Sequence, residues 1–186
     1  KGKEDELAFC FVVDMPLFEE GDDGELGATH HPFTKPTDKD IEFVKKLGNK
    51  IANGEKMTNE EREQLLEVKS DSYDIVLNGI ELGGGSIRIH TKDVQDKMFE
   101  ALGFTKEEAE EKFGFLLNAF QYGTPPHGGI AFGLDRLLML MLKRDNIREV
   151  IAFPKNQNAI CPMTEAPAIA DKNALQELGI ELSARK

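Results

Sequence analysis

Ten residues, Gly128-Gly129-Ile130-Ala131-Phe132-Gly133-Leu134-Asp135-Arg136-Leu137, constrain this chain more than any others, because glycine-rich backbone passes there into an apolar helix through one fixed cation. Gly133 removes the Cβ where another group approaches, Asp135 can serve the first turn of the following helix, and Arg136 offers a planar, permanently charged fork. That arrangement suits a polyphosphate. It equally suits a strand-to-helix corner with a surface arginine.

With 186 residues, 40% of them hydrophobic, the chain fits one domain or a large piece of one, with enough apolar side chains for a real core. It opens on Lys1 and a charged run that leads straight into apolar Ala8 to Val13, which reads as a cut made inside a longer protein. A formal charge of −11 argues against a surface that binds nucleic acid mainly by neutralising phosphates. No apolar run approaches the length of about 20 residues that spans a bilayer, so the expectation is a soluble, cytoplasmic protein that meets no membrane. Cys10 and Cys161 have no metal-ligand spacing and read as reduced core or near-core thiols.

Residues 8 to 14 are aromatic and β-branched and end at Met15-Pro16, the pattern of a buried strand. The acidic stretch 19–24 reads as a solvated hairpin or loop without calcium-loop spacing. Apolar residues every three or four positions predict a helix from Asp38 to about Ala52, stopped by Asn53-Gly54, and Thr58 to Glu61 has capping-box spacing for a second. These two helices carry no evident chemistry and read as a connecting excursion. Strands are predicted at Tyr73–Gly79 and Ser86–His90, helices at Asp93–Leu102 and Thr105–Phe120, the latter with a core stripe of Phe113, Leu116, Leu117 and Phe120. A strand over Gly129–Phe132, a largely buried helix over Leu134–Leu142, a short strand at Val150–Phe153 and a last helix from Asp171 to Leu178 follow. Uneven alternation with several hairpin spacings favours an α+β fold around a mostly antiparallel sheet.

Two glycine signatures of nucleotide binding are missing, since Gly83-Gly84-Gly85-Ser86 lacks a following lysine and no G-x-G-x-x-G opens a helix. Asp74 and Glu81 flank the Asn78-Gly79 turn, which can bring two hard oxygen donors to neighbouring positions for a Mg2+ shared with phosphates; solvated strand-end carboxylates are the alternative. Strand periodicity sets Ser86, Arg88 and His90 on one face, where Arg88 is either a carboxylate clamp or half of a structural ion pair. His30 and His31 are adjacent and point opposite ways in extended backbone, so one can face a site while the other packs; ligand recognition suits them better than a zinc chelate. No nucleophile triad stands out, and no catalytic residue is assigned.

In this order the pieces resemble the C-terminal part of the catalytic domain of a bacterial-type aspartyl-tRNA synthetase. The resemblance runs through Val13 to Glu19, Thr29-His30-His31-Pro32-Phe33-Thr34, Tyr73-Asp74 to Asn78-Gly79, Glu81 to His90, Gly128 to Leu137, and Val150 to Lys155 with Cys161 to Pro167. It covers nearly the whole chain and implies an incomplete class II synthetase catalytic fold. Residues 1–20 would be the re-entry from an inserted domain, 128–143 motif 3, and 144–186 a C-terminal extension.

The implied reaction is activation of L-aspartate by ATP to aspartyl-adenylate, followed by transfer to tRNA, in a protein that is a homodimer when full-length. By resemblance, Glu81, Gly133, Leu134, Asp135 and Arg136 contact ATP, with Arg136 on the γ-phosphate side. Glu81 with Asp74 holds Mg2+, Arg88 reads the aspartate side-chain carboxylate, and His30 and His31 lie near the amino acid. These residues include no counterpart of the family's anticodon-binding barrel, motif 1, motif 2 with its α-phosphate arginine, or most of the inserted domain, so the piece by itself is expected to be inactive. The excursion from Gly48 to Ser72 is longer than the family pattern. A paralogue that makes an aspartyl-adenylate or asparagine without tRNA, and a non-catalytic interaction module, are the alternatives.

Overall fold

The computed structural model describes residues 6–181, so the first five residues of the expected re-entry segment lie outside it. Contacts group the chain into two units, Lys1–Gly133 and Leu134–Lys186, and the division falls inside the glycine-to-helix stretch.

The first unit is built on an antiparallel sheet ordered β1-β4-β5-β6, where β1 is Phe9–Val12, β4 Ser72–Leu77, β5 Ile80–Ile87 and β6 Gly128–Phe132. Asn78 and Gly79, at φ of 49° and 82°, turn β4 into β5 in the doubly left-handed manner of tight hairpins. The strand expected only from Ser86 onward in fact runs through the three glycines, because they are what allows its neighbours to come close. A Cβ on Gly83 would fall on the carbonyl oxygen of Ala131, one on Gly85 on that of Gly129, and one on Gly84 on Oδ1 of Asp74.

The expected strand at residues 8–14 forms, but it is not buried: Phe9 and Phe11 are 56% and 63% exposed on an edge strand that no described element covers. Cys10 is exposed with it and is no core thiol, whereas Cys161 is buried. The acidic stretch is a hairpin of β2 (Phe18–Glu20) and β3 (Leu26–Ala28).

Helices α1 (Ile41–Ala52), α2 (Asn59–Leu66), α3 (Lys92–Ala101) and α4 (Lys106–Phe120) form where periodicity and capping put them. Both capping boxes close, Thr58 with Glu61 and Thr105 with Glu108. The excursion is not peripheral: α1, α2 and Val68 just beyond α2 supply Val44, Leu47, Leu65 and Val68 to the main buried cluster, where they meet Leu17, Phe18 and Met98. Gly48 admits α1 directly onto the Lys97 backbone of α3, and Lys50 joins α1 to α2 through Glu61 at 2.6 Å. The α4 stripe is not fully core: Phe113 stacks on Phe99 with ring centroids 5.4 Å apart and meets Phe33 edge-on at 5.2 Å, yet it, Leu116, Leu117 and Phe120 are all half-buried.

In the second unit α5 (Leu134–Met141) forms as expected but is not largely buried; Met139 alone is enclosed, and Leu134 is 64% exposed. No strand forms at Val150–Phe153. The segment follows a 3-10 turn at Ile147–Glu149, and Phe153 takes φ of 52°, which breaks an extended run; no described strand in this unit offers it a ladder. Helix α6 (Lys172–Glu177) is capped by Asp171, which accepts from the backbone of Asn173 and Ala174, and Gly179 at φ of 64° follows its end. Among the described residues no helix is long and apolar enough to cross a membrane.

The glycines on facing strands make a sharp contrast. Gly85→Ala should separate β5 from β6 and destabilise the chain by about 2 kcal/mol or more, whereas Gly129→Ala, whose Cβ meets nothing within 4 Å, should stay within about 1 kcal/mol of the parent, allowing for ordinary strand-glycine effects. Urea unfolding of the two variants measures the difference; equal losses would contradict the close-approach account.

Candidate functional site

Arg88 sits where β5 leaves the sheet. Its backbone N–H donates to the His127 carbonyl at 3.0 Å on one side, and it forms an isolated antiparallel bridge with Thr34 on the other. The stretch around Thr34 takes over the β5 edge where β4 ends: Lys35 N–H donates to Ile87 O at 3.0 Å and Ile89 N–H to Phe33 O at 2.9 Å. The sheet therefore delivers the histidine loop to the arginine.

Of the two histidines, His31 is the one brought to Arg88. Guanidinium Nη1 lies against Nε2 of His31, and His30 is exposed. The other ring nitrogen, Nδ1, accepts the Phe33 backbone N–H at 3.2 Å and lies 3.4 Å from the Thr34 hydroxyl. Burial, then the Arg88 charge, then that of His30 hold the His31 ring below the usual histidine pKa. A neutral ring whose Nδ1 accepts carries its proton on Nε2; Arg88 Nη1 lies against that nitrogen and 3.4 Å from Nδ1.

The polar face expected at Ser86, Arg88 and His90 is broken up. Ser86 is 2% exposed and lies 3.5 Å from the Thr34 hydroxyl, so it faces neither ligand nor solvent. His90 lies beyond the end of the strand and is half-buried.

Asp74 and Glu81 do not stand opposite one another. Asp74 pairs with Gly84 and Glu81 with Val76, across an irregularity in the ladder between Ile75 and Val76. Asp74 is half-buried over the space that Gly84 leaves, and Glu81 is exposed. No group of three or more His, Cys, Asp or Glu among the described residues makes a metal cage. Two hard carboxylates without a cage still fit Mg2+, which takes one or two carboxylates and completes its shell with phosphate oxygens and water.

Gly133 ends β6 and donates its N–H to Leu82 O at 2.7 Å, which ties it to the sheet beside Glu81 in sequence. Leu134, Asp135 and Arg136 open α5 in the second unit, all exposed, with Asp135 in the first turn, where a carboxylate favours a helix N-terminus.

One residue in this neighbourhood was not singled out from the sequence. Gln95, 2% exposed, reaches the carbonyl of Pro32 from α3. Its signal was present: it shares the helical stripe of Met98, Phe99 and Leu102, where a polar side chain is out of place.

The antiparallel sheet with its flanking helices belongs to a known class of proteins: residues 1–157 match the family of tRNA synthetases class II (D, K and N), and the chain is a member of it. Within that family the chain is 53% identical over 180 residues to an aspartate–tRNA ligase of Ruminiclostridium cellulolyticum, covering 96% of this chain and 28% of the relative. It is 52% identical over 176 residues to an aspartate–tRNA(Asp/Asn) ligase of Persephonella marina, covering 94% and 27%. The chain thus spans little more than a quarter of the length of these relatives. The fold is that of the aspartyl tRNA synthetase of Entamoeba histolytica, with a TM-score of 0.55 at 23% identity over 83% of this chain and 24% of that one.

Because native His31 stays neutral where the unfolded chain takes up a proton, the unfolded state binds more protons just below the usual histidine pKa of about 6.5. Stability should be level above that pH and fall as the pH drops from there toward the lowered native value. The carboxyls of Asp38, Glu61 and Glu108, held low chiefly by bonds from Lys35, Lys50 and Thr105 respectively, act in a more acidic range. Urea midpoints between about pH 7.5 and about pH 5.5 should fall less for His31→Gln than for the parent; parallel curves would remove His31 as the cause.

Proposed function

We propose that the chain is part of the adenylate-forming centre of an aspartate–tRNA ligase. One observation carries the reading. The sheet edge sets Arg88, a fixed cation with only N–H donors, against the His31 ring, and a carboxylate is the group such a fork binds best. The aspartate side chain suits the guanidinium, whereas asparagine brings a neutral amide with an N–H of its own. The names of the curated relatives support the same assignment.

In the full-length protein, an oxygen of the aspartate α-carboxylate attacks the α-phosphorus of ATP, the bond to the bridging β-phosphate oxygen breaks, and pyrophosphate leaves. The terminal ribose hydroxyl of tRNA then attacks the acyl carbon and AMP leaves. Both steps bring anions or dipoles together, so the protein's contribution is position and charge rather than a covalent intermediate. Arg88 fixes the side-chain carboxylate, with His31 beside it and His30 at the loop's exposed side. Gly133, Leu134 and Asp135 line the nucleotide, and Arg136 takes the γ-phosphate end. Glu81, with Asp74 as its partner, would hold Mg2+, which when bound neutralises phosphate charge. Residues 1–20, 128–143 and 144–186 are assigned as re-entry from an inserted domain, motif 3 and C-terminal extension of a cytoplasmic homodimer.

The full-length protein should catalyse aspartate-dependent ATP–pyrophosphate exchange, and Arg88→Ala should raise KM for aspartate by about 100-fold or more with a far smaller effect on KM for ATP. The 186 residues alone should show no exchange. Exchange independent of aspartate, or an Arg88→Ala defect confined to ATP, would overturn the assignment.

A further inference from the structure

Residues 29–33, which carry both histidines, have no helix or strand of their own. The loop is fixed from α3. Gln95 donates from Nε2 to the Pro32 carbonyl at 2.8 Å, and one turn further Phe99 meets Phe33 edge-on at 5.9 Å. Helix α3 is itself held by α1, through the Gly48 contact on Lys97 and through Lys45, 2.7 Å from Asp93.

The bond from Gln95 acts on one peptide plane. The Pro32 carbonyl that it holds and the Phe33 N–H that His31 Nδ1 accepts belong to the same peptide unit, in which C=O and N–H point opposite ways. Proline removes the remaining freedom, since it fixes its own φ and restricts the residue before it to extended backbone. Once Gln95 sets the carbonyl side, the N–H side must face the ring. Gln95 does this at a cost: its Oε1 is buried with no partner among the described residues, a loss that an apolar side chain would avoid.

We propose that Gln95 is a positioning residue, which selects the Nε2–H tautomer of His31 through the Pro32–Phe33 peptide and so holds the ring in place beside Arg88, the group that meets the amino-acid side chain. The recognition part of this rests on the aspartate reading of Arg88 and His31; the tautomer part does not.

The test is Gln95→Met in the full-length protein, with histidine nitrogens labelled with 15N and followed by long-range proton–nitrogen spectra, alongside exchange kinetics. In the parent, His31 should be the Nε2–H tautomer. In the variant the Nδ1–H form should appear, KM for aspartate should rise about fivefold or more while KM for ATP stays within about twofold, and the melting temperature should not fall. Gln95→Glu, which keeps the shape but as a carboxylate cannot donate, should shift the tautomer in the same way if methionine disturbs the packing. An unchanged tautomer in both variants, or equal changes in the two KM values, overturns the proposal. A tautomer shift in the variants, with a parent that shows no aspartate-dependent exchange, upholds the positioning role and sinks the aspartate reading.

Discussion

Backbone-to-backbone approach along β5 is the constraint on which the first unit depends. Gly83 and Gly85 let the carbonyls of Ala131 and Gly129 into space that a Cβ would fill, and Gly84 leaves room for the Asp74 carboxylate. With that spacing, β6 can pair with β5 from Gly83 to Ile87 and deliver Gly133 to Leu82, while the chain just past β5 passes between His127 and the Thr34 stretch. The glycines therefore serve the chemistry indirectly: they seat the strands, and the strands place Arg88.

The helical layer has a comparable role on the other side of the site. Two helices without catalytic residues, α1 and α2, help build the main buried cluster, and α1 holds α3 through a glycine contact and an ion pair. Helix α3 in turn governs the loop that carries His31. An insertion that looks like surface decoration is thus mechanically connected to the side chain that meets the arginine, by dense packing rather than by any contact with substrate.

Local signals in the chain translated directly into structure. Thr58 and Thr105 cap their helices because a hydroxyl and a glutamate three residues on satisfy orphan N–H groups regardless of the remaining fold, and Asn78-Gly79 turns because its left-handed backbone is available locally. Burial was not legible in the same way. Phe9 and Phe11 have a core strand's composition yet stand on an uncovered edge, and α5 is apolar yet mostly exposed, since burial depends on what else arrives. Val150–Phe153 has a strand's residues but, among the described residues, no strand pairs with it in a ladder.

The sequence by itself determined the class of fold, the helix ends, the hairpin and the identity of the charged groups, because each follows from residue types at short spacing. Tertiary structure alone decided which histidine meets Arg88, that Asp74 and Glu81 occupy different rungs, and that Gln95 reaches Pro32. Those outcomes depend on ladder register and on close approach between segments far apart in the chain. A one-residue shift in either would bring different side chains together.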